Sequence, residues 1–139
     1  MKFLPIILLN FLLSSATLVK TQESLPTKIN DYIVQNHHDA TDIEWYSLDD
    51  KIFVEFKEKG VEYKVFLNKN YSVIETHKQI NPAKLPIQIT DYLEDEIEDY
   101  EILNCILIKD NSRHYFEITV ETETDVYEFL FDLVGDIIE

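Results

Sequence analysis

The sequence carries an internal copy of part of itself. LPTKINDYI, from Leu25 to Ile33, matches LPIQITDYL, from Leu85 to Leu93, with Leu, Pro, Ile, Asp and Tyr identical at a spacing of sixty residues. Further along, Val54-Glu55-Phe56 aligns with Phe116-Glu117-Ile118 at a spacing of sixty-two, and Tyr63, Val65 and Leu67 align with Tyr127, Phe129 and Phe131 at sixty-four. The extra residues fall where turns tolerate insertion. A duplication constrains a fold more than any short motif, because each copy must bury the same apolar side.

Each copy opens on a proline, Pro26 or Pro86, at a position where a first helical turn can spare an N–H. Ile29, Tyr32 and Ile33, then Ile89, Tyr92, Leu93, Ile97 and Tyr100, recur at helical spacing and predict a short helix per copy, the second running through Tyr100. Alternating β-branched and aromatic runs follow. They predict four strands per copy, at about 42–48, 51–58, 61–67 and 72–76, then 102–109, 113–121, 125–132 and 136–138. Thr76 to Lys84, stiffened by Asn81-Pro82, reads as a linker. The expected fold is therefore α+β: two tandem helix-plus-four-stranded antiparallel meanders, joined into one extended sheet with the helices on one face. Residues 22–84 form the first unit with its linker and residues 85–139 the second. Val54, Phe56, Tyr63, Val65 and Leu67, with Phe116, Ile118, Tyr127, Phe129 and Phe131, point toward the helices.

Lys2, an apolar run from Phe3 to Leu13 and small residues Ser14, Ser15 and Ala16 have the order of a secretory signal, so residues 1–21 are set apart from the fold. The run is too short for a bilayer-spanning helix. A periplasmic or secreted protein without stable membrane insertion is expected. Cys105 is the only cysteine, and its neighbours Ile102, Leu103, Ile106, Leu107 and Ile108 predict a buried, inert thiol. Two glycines in 139 residues leave no material for phosphate-binding loops.

Charge divides the copies. Leu25 to Lys84 holds ten acidic and eight basic residues, whereas Leu85 to Glu139 holds sixteen acidic and two basic, within a chain of net charge −15. Phosphate backbones want a positive surface, so no nucleic-acid partner is expected.

The LP-x-x-I-x-x-Y helix start, followed by Tyr127, Phe129, Phe131, Asp132 and Gly135, resembles the PepSY-like domains, a family also described as β-lactamase-inhibitor-like and common as small exported proteins of Bacteroidetes. The resemblance covers residues 25–139. It implies helices on one face of an antiparallel sheet and an opposite face free to meet a partner. Because PepSY relatives include protease propeptide segments, it also implies protein binding or inhibition. The first copy departs from the pattern: Asn68 stands in place of Asp132 and Tyr71 in place of Gly135, so its turn is expected to close differently.

Phe53, Phe66, Tyr115, Val126 and Leu130 fall on the strand positions that point away from the helices, with Trp45 or Tyr46 beside them and Trp45 the expected anchor. Large apolar groups on a sheet face are candidate hot spots for a protein partner. Glu94, Asp95, Glu96 and Glu98, expected on the outer side of the second helix, could steer a basic partner; a plain solvated face is the competing explanation. A cation or small-ligand carrier using the acidic second copy is the alternative function. No Ca²⁺-loop pattern occurs, and the adjacent His37 and His38, with Asp39 and the distant His77, lack a zinc-site spacing. No nucleophile–base motif stands out, so no catalytic residue, cofactor or resident metal is expected.

Overall fold

Both helices start directly after a proline and each pins two aliphatic side chains against a sheet. In the computed structural model, which describes residues 24–138, α1 spans Thr27–Asn36 and α2 spans Ile87–Glu96. Ile29 and Ile33, like Ile89 and Leu93, stand one helical turn apart and are buried to 3% exposure or less. The expected signal segment, residues 1–21, lies outside the described residues.

The second helix stops at Glu96 and does not continue through Tyr100. Ile97 is extended (φ −133°, ψ 120°), and Asp99 adopts φ +46° in the bend that follows. Carboxylates at Glu94, Asp95 and Glu96 crowd the negative end of the helix dipole, so a further turn bearing Glu98 and Asp99 would be opposed electrostatically. Ile97 and Tyr100 still reach the core, but from extended backbone.

The strands are β1 (Ala40–Leu48), β2 (Lys51–Glu58), β3 (Val61–Asn68), β4 (Val73–Gln79), β5 (Glu101–Asp110), β6 (His114–Glu121) and β7 (Val126–Phe131). They form one seven-stranded antiparallel sheet in sequence order. This overturns the expectation of two tandem helix-plus-four-strand repeats. Alternation beginning at Val73 and Ile74 continues past Glu75, so β4 consumes half of the expected linker and pairs with β5, from Glu75 opposite Asp110 to Gln79 opposite Ile106. Pairing stops near Pro82, which has no N–H to donate and opens a short 3₁₀ turn, Pro82–Lys84. The expected eighth strand, 136–138, is reduced to a single bridge between Phe131 and Ile137.

The chain divides within β4 into two compact units, at Ile74 and Glu75. In the first, α1 covers Ile52, Val54, Phe56, Val65 and Leu67. In the second, α2 covers Cys105, Phe116, Ile118, Val120, Phe129 and Phe131. The inward-facing residues are those expected from period-two alternation. Their alignment needs one adjustment. Val54 pairs with Val65 and Phe56 with Tyr63, while Ile118 pairs with Phe129 and Val120 with Tyr127. Corresponding positions in β2 and β6 are therefore sixty-four residues apart. The match of Val54-Glu55-Phe56 to Phe116-Glu117-Ile118 at sixty-two is displaced by two, which preserves the face because the strand period is two.

The turns after β3 and β7 close alike, against expectation. The N–H of Asn68 bonds the carbonyl of Ser72 at 2.9 Å, and that of Asp132 bonds the carbonyl of Asp136 at 2.8 Å. Asn68 Oδ1 accepts from the N–H groups of Asn70 and Ser72, as Asp132 Oδ1 accepts from those of Val134, Gly135 and Asp136. Tyr71 simply takes the left-handed conformation (φ +65°) that Gly135 (φ +101°) occupies more easily. Its ring packs on the first core, beneath the Lys28 ammonium at 5.7 Å. At Gly135 an added Cβ would meet Gln88 Cβ at 2.8 Å.

Cys105 is 1% exposed, and burial pushes its thiol up to about 11. Two outcomes are expected. Gly135→Ala should lower unfolding free energy by about 2 kcal/mol in denaturant melts, whereas Gly60→Ala, with open space around it, should lose roughly 1 kcal/mol from backbone strain alone. Thiol-reagent labelling of Cys105 should proceed only as fast as the protein opens, and prompt labelling of the folded protein would contradict the burial.

Candidate protein-docking face

Residues directly opposite each other in antiparallel ladders share a face, so pairing sorts the strand side chains without ambiguity. In the first unit Tyr46 lies opposite Phe53 and Phe53 opposite Phe66, all turned away from α1. Tyr46 stacks on Phe53 with ring centroids 4.9 Å apart and planes 8° apart; Phe53 meets Phe66 edge-on at 5.2 Å. Each such contact contributes about 1 kcal/mol beyond area burial, so the row is a fixed surface and not three independent rotors. All three rings are half-buried.

A polar pair borders the row. Lys64 Nζ lies 2.6 Å from Glu55 Oε1, and the Tyr46 hydroxyl donates to the same carboxylate at 3.4 Å. The hydrogen bond to Glu55 holds the Lys64 ammonium above its ordinary range. Burial raises the Tyr46 hydroxyl, partly offset by the Lys64 charge. Trp45 is not part of this face. It pairs with Val54 and packs on the helix side, so the aromatic anchor contributed by β1 is Tyr46. The bulge between Thr41 and Glu44, with Asp42 at φ +54°, hides the parity of this strand from a simple alternation count.

The second unit places Tyr115 and Leu130 away from α2, as expected. His77, Ile108 and Tyr115 stand in one cross-strand row, and Ile106, Glu117 and Leu130 in the next. Ile108, on this outer face, is only 2% exposed. The Arg113 guanidinium sits 4.8 Å from the Tyr115 ring centroid, and His77 Nε2 contacts Glu75 Oε1. Burial, reinforced by the charges of Glu128 and Glu75 and opposed by His77, raises the Glu117 carboxyl above the ordinary glutamate range. Burial likewise raises the Tyr115 hydroxyl.

The acidic residues disperse. Glu94, Asp95 and Glu96 are exposed on α2, while Glu98 lies in the bend beyond it. Glu96 and Glu98 line a shallow depression of about 400 Å³ with Asp99, Glu123 and Phe129; Glu94 and Asp95 do not. Among the described residues no group of three or more His, Cys, Asp or Glu is arranged to hold a metal ion. Two participants on the outer face escaped the sequence, the Glu55–Lys64 pair and Glu117, whereas Phe53 and Phe66 lie where alternation puts them and Tyr46, offered beside Trp45, completes their row. Alternation through the Phe116-Glu117-Ile118 triplet is the signal that turns Glu117 outward.

No family model matches the sequence, and no curated protein matches it. Solved structures do. A BLIP-like protein from Bacteroides fragilis superposes with a TM-score of 0.71 at 19% identity, covering 86% of this chain and 87% of that one. A DUF2874 family protein from Bacteroides uniformis gives 0.72 at 14% identity, over 84% and 88% of the two chains. A candidate periplasmic protein from Bacteroides eggerthii gives the same values, 0.72 at 14% identity, over 84% and 88%. The chain shares the fold of these Bacteroides proteins. Identity this low establishes the fold alone. Among the described residues no helix is long and apolar enough to cross a membrane.

Ionising Glu117 in the folded protein costs stability. That cost is absent below the ordinary glutamate range, grows as pH rises from there to the raised value, and is complete above it. Glu117→Gln should therefore raise Tm near neutral pH and leave it unchanged in acid below the ordinary range, as thermal melts across pH will show. The Tyr92 hydroxyl is buried without a hydrogen-bond partner among the described residues, so Tyr92→Phe should stabilise by up to about 1 kcal/mol in a denaturant melt.

Proposed function

We propose that this chain is a non-catalytic protein-binding module that presents the strand face opposite its helices, and, in narrower form, an inhibitor of an exported enzyme. The observation that carries this reading is the Tyr46–Phe53–Phe66 row: three interlocked aromatic rings, half-buried, on a side of the strands that α1 does not cover. Rigid aromatic groups supply large contact area with little ordering entropy, which is why they dominate binding hot spots. Tyr115 and Leu130 extend the same kind of surface within the second unit.

A basic partner fits the electrostatics. A net charge of −15 attracts cationic proteins over distances beyond contact and raises their encounter rate at low salt. The BLIP-like neighbour supports the inhibitor form by fold analogy, and the PepSY-like residues Leu25, Pro26, Ile29 and Tyr32 support protein binding by resemblance. The apolar stretch after Lys2 supports an exported location.

Affinity capture from the envelope fraction of the source cell tests the reading. A partner held by the native protein should be lost, by roughly tenfold or more in affinity, from Phe53→Ala and Phe66→Ala variants whose melts remain cooperative. Undiminished capture by both variants, with loss only when Glu94, Asp95, Glu96 and Glu98 are reversed to lysine, would move the binding surface to the acidic flank.

A further inference from the structure

The outer rows of the two units differ at one central position. Ladder by ladder, Tyr46, Phe53 and Phe66 correspond to Ile106, Glu117 and Leu130: the flanking positions stay apolar, and the middle ring is replaced by a carboxylate. Glu117 is half-buried between its two aliphatic neighbours. The first unit closes its own outer-face acid with a lysine, Glu55 with Lys64, but the position corresponding to Lys64 is Glu128.

The other cations of the second unit are engaged or turned elsewhere. His77 contacts Glu75, and Arg113 covers Tyr115 with its Nε 3.8 Å from Asp110. Lys78, Lys109 and His114 stand on the strand positions that alternate with the outer row, and Lys84 lies in the 3₁₀ turn. Among the described residues none makes an ion pair with Glu117. A carboxylate flanked by apolar groups and left without a cation costs stability alone, and it becomes favourable when an incoming guanidinium supplies paired N–H donors.

We propose that the Ile106–Glu117–Leu130 row is the seat for one arginine side chain of a protein partner, carried on a segment whose neighbouring residues are aliphatic. The inference rests on the docking-face reading and adds the chemistry of the occupant. Charge complementarity selects it: Glu117 and Glu128 sit on the face with Glu75, and the flanking Ile106 and Leu130 match the aliphatic part of the segment. The raised Glu117 carboxyl is consistent with this, since a bound cation favours its ionised form and binding then releases protons. The titratable groups facing Glu117 are Glu75 and His77 from β4, Tyr115 from its own strand and Glu128 from β7; β5 contributes only Ile106 and Ile108 to these rows.

The probe is a short synthetic peptide with arginine between valines, compared with the same peptide carrying neutral citrulline. Calorimetric titration should give the arginine peptide a roughly tenfold advantage on the native protein, with proton release in acid, between the ordinary glutamate range and the raised Glu117 value. Glu117→Gln should abolish both the advantage and the proton release while remaining folded. Phe53→Ala, and reversal of Glu94, Asp95, Glu96 and Glu98 to lysine, should leave the arginine-to-citrulline ratio intact. An unchanged ratio in Glu117→Gln, a ratio lost with the α2-flank reversal, or no preference on the native protein would each overturn the inference. Partner capture that still depends on Phe53 and Phe66 would then leave the docking-face reading standing. Loss of that dependence with the arginine preference intact would overturn the Phe53–Phe66 row as the carrier of the docking face and leave the second unit's row as its seat.

Discussion

Everything in this molecule depends on pairs of helical aliphatic residues meeting alternate residues of a meander: Ile29 and Ile33 over Val54 and Val65, and Ile89 and Leu93 over Ile118 and Phe129. Each helix has only ten residues and no side-chain cap at its N-terminus, so neither would persist in water by propensity. The burial of its two anchors holds it in place, and that burial fixes which strand residues look inward. The outward set then follows by parity, so the docking face is a by-product of core packing before it is anything else.

The parity was legible in the sequence; the strand count was not. Val65 and Leu67, and Phe129 and Phe131, announce their inward side by alternation, and Phe53, Phe66, Tyr115 and Leu130 are placed outward by the same rule. Trp45 escaped it because the Asp42 bulge changes the parity of β1, information that lies in backbone geometry and not in hydropathy. The extent of β4 was missed because His77, Lys78 and Gln79 look like linker residues; what makes them strand is the hydrogen bonding offered by β5. The early end of α2 is a contest between an apolar stripe through Tyr100 and five carboxylates from Glu94 to Asp99, and the carboxylates win. A local pattern cannot weigh those two against each other.

The outer face shows how one scaffold can present different chemistry from corresponding positions. Phe53 and Glu117 occupy matching places in their ladders, each between apolar partners, yet one closes an aromatic row and the other interrupts an aliphatic one. The substitution leaves the core untouched because it points the other way. Glu55 beside Lys64 similarly gives way to Thr119 beside Glu128, so local neutrality in one unit becomes local acidity in the other.

The sealed position of Cys105 also has a practical side. Because the chain has no other thiol, a cysteine placed at any outer-face position would be the sole accessible attachment point for a fluorophore, a spin label or a photo-crosslinker. The native sulfur would stay silent without having to be removed. Walking such a tag along β2, β3, β6 and β7 would turn the whole surface into an addressable grid on an otherwise unaltered protein.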